Sequence, residues 1–294
     1  MTEILTALDY DDYTTGLCER AQLALLRCAG GTLQKRIFLA GGLVPRYLIQ
    51  ALPPGVEPHV GTTDVDFVVG VALLGDDDPE PYHTLAKNMR DMLFEPCRDD
   101  EGRTQSFRWQ LMIDGKRVVV EFMTEKSGVP GGMLVRPGQA IGSAIGAFTA
   151  KGASLVAEDF VVREIRGRLP SGDESFASMQ VANLAPFVTL KALALHERHK
   201  PKDSYDLVFA IGNWPGGPSA AAAAFMASPV YGRETVDEAL TLMNGHFESA
   251  EMDGPGFYSS FMYDPGLDDE DEKVRLRLES LGVIHEFLGA LGHG

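Results

Sequence analysis

Strand-like segments fall in the first part of this chain and helical patterns fill the rest, and that segregation restricts the fold more than any other feature. Residues 36–40 (RIFLA), 62–69 (TTDVDFVV), 106–113, 117–123 and 160–165 have the apolar, β-branched or alternating content of strands. From Ala182 onward apolar residues recur at helical spacing. Strands first and helices second predict an α+β architecture, a mixed sheet flanked by helices and followed by a mainly helical lobe. With 294 residues the chain is long enough for two domains, and the pattern divides it into a core domain over 1–175 and a helical C-terminal domain over 176–294.

Within the first part, Leu17, Ala21, Leu23, Ala24, Leu25 and Cys28 mark an amphipathic helix over 13–29, closed by Gly30-Gly31. The run RIFLA meets Gly41-Gly42, and residues 43–52 return to helical spacing with Pro45 acceptable in a first turn. The order is strand, glycine turn, helix. A Pro/Gly-rich loop over 53–61 leads to the second strand, and a helix is expected over 81–94. Asp114-Gly115 between two strand segments is a strong hairpin signal. The Gly- and Pro-rich stretch 127–152 reads as loop with one short helix. Ala220 to Ala224 reads as helix, and the acids of 268–272 as a solvated helix N-terminus with no catalytic role.

Twenty-six Lys and Arg stand against 42 Asp and Glu, a net charge of −16. Broad affinity for nucleic-acid phosphates rests on clustered cations, so any such contact here must use a local basic patch. Cys18, Cys28 and Cys97 are too few and scattered for a disulfide framework or a zinc site, and read as reduced thiols. The N-terminal residues lack the pattern of a signal peptide, and no apolar run approaches the roughly 20 residues that span a bilayer. The expectation is a cytoplasmic protein without membrane partners.

Asp-x-Asp by itself says little in so acidic a chain, which repeats it at Asp9/Asp11, Asp76/Asp78 and Asp269/Asp271. Asp64 and Asp66 differ because they lie in a strand, whose period of two places both on one face. Neighbouring carboxylates repel and raise each other's pKa, so a fold that keeps them together supplies a cation, and paired Asp oxygens suit Mg2+. Glu121, within Val118-Val119-Val120-Glu121-Phe122, is the candidate third acid, presented from a neighbouring antiparallel strand. The competing reading makes it the solvent-side residue of an edge strand. Gly41 and Gly42 let backbone N–H groups approach phosphate oxygens, and Thr62 and Thr63 add hydroxyl donors.

Taken in that order, Phe38-Leu39-Ala40-Gly41-Gly42 and Thr62-Thr63-Asp64-Val65-Asp66-Phe67 resemble the signature of the nucleotidyltransferase superfamily with the DNA polymerase β-like core. The resemblance covers about residues 36–123. It implies a nucleotidyltransferase fold, with Asp64, Asp66 and Glu121 as metal-binding catalytic acids and Gly41-Gly42 as the nucleotide-phosphate turn. A second segment, residues 190–207, is similar to the Lys…Arg…Lys-Asp-x-Tyr-Asp-Leu stretch of the AbiEii/AbiGii-type nucleotidyltransferases of bacterial defence systems. That likeness implies that Lys191 faces the nucleotide phosphates and Asp206 lies in the active site, with Arg198 and Asp203 supporting them.

Lys191, Leu195 and Arg198 share helical spacing, and Asp203 can cap a new helix in which Asp206 lies one turn on. His196, His199, Lys200 and Lys202 read as a charged surface turn broken by Pro201, and His59 receives no metal role. The chain departs from the pattern in carrying Glu where the third acid is usually Asp, and Gly61 where relatives often carry a basic residue.

The activity implied is transfer of a nucleoside monophosphate from an NTP to an acceptor hydroxyl, with Mg2+ as cofactor. The acceptor is RNA (tRNA for a toxin relative), a protein or a small molecule such as an aminoglycoside, and a toxin-type enzyme brings a cognate antitoxin as partner. Two alternatives stand beside it: a non-catalytic nucleotide-sensing or partner-binding protein that keeps the fold, and an unrelated α+β protein in which the motifs are coincidental turns.

Overall fold

A computed structural model describes residues 6–62, 64–69, 80–135 and 145–293, without the side chains of residues 32, 64–69, 80 and 81. It is an α+β protein whose contacts separate two units. The sheet unit comprises residues 12–44 and 62–182, and the helical unit residues 1–11, 45–61 and 183–294. The expected division at 175/176 falls inside a strand, and the units part at Ala182/Asn183.

In the sheet unit, α1 (Asp12–Gln34) is interrupted at Gly30, whose φ of 66° departs from helical geometry where Gly30-Gly31 were expected to close it. Its Leu17, Cys18, Ala21, Leu25 and Cys28 are buried, and it packs against α3 (Glu80–Asp91) and against strands of the sheet. The strands are β1 (Ile37–Leu39), β2 (Asp64–Val69), β3 (Glu95–Arg98), β4 (Thr104–Ile113), β5 (Lys116–Thr124), β6 (Leu134–Val135), β7 (Ala147–Thr149), β8 (Phe160–Arg168) and β9 (Glu174–Ala182). They run in the order β3-β4-β5-β2-β1-β9-β8, with β7 joined to β5 and β6 to β7. β2 is antiparallel to β1, and β5 is parallel to β2.

The β4–β5 hairpin turns at Asp114 and Gly115, both with positive φ (51° and 77°), the backbone that twists two strands together and that Asp-Gly accommodates. β5 lies inside the sheet between β4 and β2. Val118, Val119 and Val120 are accordingly all buried, as in strands covered on both faces. Trp109 is buried beside them, its indole N–H donating to the Ser106 carbonyl at 3.1 Å. The stretch read as loop over 127–152 carries the short strands β6 and β7, because main-chain pairing with β5 satisfies backbone groups that its Gly-rich composition left unassigned; residues 136–144 lie outside those described.

The helical unit consists of α4 (Leu184–Arg198), α5 (Pro201–Gly212), α6 (Gly217–Met226), α7 (Glu234–His246), α8 (Asp253–Met262) and α9 (Glu270–Leu291). Asn183 caps α4 by accepting the Leu184 N–H, and Pro201 opens α5 at a position where no N–H is needed. The acidic run starts α9 as expected, with Asp269 accepting the Glu272 N–H. α6 packs on α9, where Ala221 and Ala222 are fully buried and Phe225 meets Phe287 edge-on at 5.5 Å. The division at Val44/Pro45 falls within α2 (Val44–Leu48), which is much shorter than the expected 43–52. Leu52-Pro53-Pro54 follows it, and a residue before proline is pushed out of the helical region. No helix among the described residues is long and apolar enough to cross a membrane.

Candidate active site

β2 and β5 are paired so that Asp64 stands opposite Val119 and Asp66 opposite Glu121. Main-chain hydrogen bonding therefore brings the expected third acid level with the second aspartate. The expectation of an antiparallel neighbour is corrected: α3, β3 and β4 intervene between the two strands, and that long connection returns β5 parallel to β2. The edge-strand reading of Glu121 also falls, since β5 has a neighbour on each side.

On its other side Glu121 faces Arg108 of β4, its register partner, and Nε and Nη2 of that guanidinium both bond Glu121 Oε1. The pair is partly open to solvent, the side chains 40% and 23% exposed, so its net contribution to stability is small. Nothing in the sequence singled out Arg108, because cross-strand register decides its partner. The side chains of Asp64 and Asp66, and Thr63 altogether, lie outside the described residues. Among the described residues no three His, Cys, Asp or Glu side chains are arranged to hold a metal ion as they stand.

The glycine turn follows β1 directly. Gly41 and Gly42 are buried, and the Gly41 carbonyl accepts the Val44 N–H at 3.0 Å. Neither has positive φ, so a left-handed backbone is not why glycine stands there. The helix behind this turn has five residues, and its second, Pro45, lacks an N–H. Its N-terminus is a weaker phosphate cradle than a ten-residue helix would supply. Thr62 is buried, its carbonyl accepting the Cys18 S–H at 3.3 Å.

The helical unit holds the other expected residues in a charge network. Lys191 Nζ of α4 lies 2.9 Å from Asp203 Oδ1 and 2.6 Å from Asp206 Oδ2, both on α5. Arg198 bonds Asp203 through Nη2 at 2.9 Å, and Lys202 bonds Asp206 Oδ1 at 2.7 Å. The surface-turn reading does not hold for Lys202. Helix α5 starts at Pro201, so Lys202 and Asp206 share a face at i, i+4 and the lysine side chain is 16% exposed.

His59, given no role from sequence, completes the network. Its Nδ1 accepts the Gly61 N–H at 3.0 Å, so the ring proton resides on Nε2, which lies 2.9 Å from Asp206 Oδ1 and donates to it. The ring stacks near Tyr205 at 5.0 Å and meets Phe209 edge-on at 4.8 Å. Burial lowers the His59 pKa to about 4 against the pull of Asp206, so the imidazole is neutral. Burial also opposes ionisation of Asp206, but Lys191, Lys202 and His59 overcome it and hold the carboxyl far below the usual range. Burial disfavours the Lys191 ammonium too, yet Asp203 and Asp206 outweigh it and raise its pKa. For Lys202 burial prevails and the pKa falls.

Three cations, Lys191, Arg198 and Lys202, thus share two carboxylates, Asp203 and Asp206, with a neutral histidine. No sequence signal marked His59, since its partner lies 147 residues away. No family model matches the chain, and no curated protein matches it.

Proposed function

We propose that the chain is a Mg2+-dependent nucleotidyltransferase with a nucleotidyltransferase-type core. The observation that carries the reading is the register pairing of Asp66 with Glu121, on β2, which pairs with β1 just before its Gly41-Gly42 turn, and on β5 at the other side of β2. Hard carboxylate oxygens from adjacent strands fit a magnesium ion, which when bound neutralises triphosphate charge and polarises the reacting phosphoryl group. Asp64 and Asp66 hold it. The acceptor hydroxyl oxygen bonds to the α-phosphorus, the bond to pyrophosphate breaks, and Glu121 takes the hydroxyl proton. Backbone N–H groups at Gly41 and Gly42 meet phosphate oxygens. Lys191, kept charged by Asp203 and Asp206, is assigned to phosphate by the resemblance over 190–207, and Asp206 orients it. That same resemblance makes tRNA the first acceptor to test, and a cognate antitoxin the first partner.

The test supplies radiolabelled NTPs, Mg2+ and a cell extract, and follows label into RNA, protein or small molecules. Asp64→Asn and Asp66→Asn should melt like the parent and lose Mg2+-dependent pyrophosphate release; equal activity in these variants rejects the assignment.

A second reading, a nucleotide-sensing protein without turnover, is favoured by one observation: Glu121 already receives two N–H bonds from Arg108, and a carboxylate so engaged is a poor base. Calorimetry with each NTP and Mg2+, followed by product analysis, separates the two. Binding without product supports the sensor.

A further inference from the structure

In the helical unit, three histidines and an aspartate meet where the C-terminal ends of α4 and α7 approach the start of α8. His196 lies in the last turn of α4, and His199 is its C-cap, in the left-handed region at φ 49°. His246 ends α7, and Asp253 begins α8. The ring centroids are 5.3 Å apart for His196 and His246, 6.1 Å for His199 and His246, and 6.4 Å for His196 and His199. Nothing in the proposed transfer reaction uses these residues.

We propose that His196, His199 and His246, oriented by Asp253, form a binding site for a zinc-class transition-metal ion. Asp253 Oδ1 lies 2.7 Å from His246 Nδ1. A carboxylate only accepts, so Nδ1 carries the ring proton and the Nε2 lone pair is free to bind. That lone pair points at His196 Nδ1, 3.1 Å away. Two imidazole nitrogens on one tetrahedral zinc, with bonds of about 2.0–2.1 Å, stand roughly 3.3 Å apart, so the metal replaces the proton now shared between them, which moves to the exposed Nε2 of His196. A ligating histidine that donates its other N–H to a carboxylate is the usual second layer of such a centre, and His246 with Asp253 has that form.

His199 is the ring that must turn, because the donors do not close on one point as they stand. Its side chain is 57% exposed and its Nδ1 lies 3.7 Å from Asp253 Oδ2, so rotation breaks no short bond. The C-terminal ends of α4 and α7 add carbonyl dipoles that favour a cation. Imidazole donors suit zinc, cobalt, nickel and copper and do not suit magnesium, so the site is chemically separate from Asp64 and Asp66.

The experiment titrates chelator-treated full-length protein with ZnCl2 by calorimetry and with CoCl2 by visible absorption. We expect one equivalent of zinc bound at micromolar affinity or tighter and the visible bands of tetrahedral cobalt. His196→Ala and His199→Asn, both at exposed positions, should keep the parent circular dichroism and weaken binding at least about tenfold, and Asp253→Asn should weaken it about 10–100-fold. Asp64→Asn should bind zinc as the parent does. Absence of cobalt bands, or zinc affinity unchanged by the His196 and His199 variants, overturns the proposal.

Discussion

The acids of the sheet unit and those of the helical unit are held in place by different forces. Asp66 and Glu121 are brought level by a hydrogen-bonded backbone ladder, which fixes their positions whatever their charge. Asp206 is buried and stays ionised because Lys191, Lys202 and the His59 N–H enclose it, and Asp203 is buried against Lys191 and Arg198. Where the backbone sets the geometry, the acids are brought level without a counter-charge; where side chains set it, the carboxylates depend on the cations around them.

The sharpest way to break this contrast is Asp206→Ala, which leaves Lys202 buried without its anion and Lys191 with Asp203 alone. A loss of about 3–5 kcal/mol in urea unfolding is expected, and a loss below about 1 kcal/mol would show the network to be dispensable. Next in size is acid sensitivity. His59 has a folded pKa of about 4 against an ordinary 6.5, so between these values the unfolded chain takes up a proton that the folded protein refuses. Its contribution is full above pH 6.5 and fades as pH falls toward 4, by about 3 kcal/mol at most. Unfolding measured from pH 7.5 to 4.5 checks this, and His59→Gln should flatten the dependence in that window. The smallest effect belongs to the sheet unit: Arg108→Ala should cost less than about 1 kcal/mol, because its ion pair with Glu121 is partly exposed. The same variant should tighten Mg2+ binding by freeing the carboxylate, and unchanged affinity would count against Glu121 as a ligand.

Local chemistry made much of this fold legible. Asp114-Gly115 announced a hairpin, the β-branched run before Glu121 announced a buried strand, and Pro201 announced the junction between two helices. What escaped depends on distant partners. β3 holds only four residues and includes Pro96, and β9 places Ser and Gln among its apolar residues; both are strands because β4 and β8 supply the ladder. That Asp66 and Glu121 lie in strands was legible, yet the parallel pairing that sets them level depends on the elements between the two strands. His59 and Lys202 were invisible as network members, since their environment is created by the burial of Asp206.

The helical unit is assembled from three separate stretches of chain, residues 1–11, 45–61 and 183–294. A ribosome must therefore complete every strand before Asp206 exists to meet His59, and the imidazole waits through that interval for its partner. No single cut releases the helices with their buried histidine, so a C-terminal fragment beginning at Asn183 would emerge with the carboxylates and their cations but without the ring that donates to Asp206.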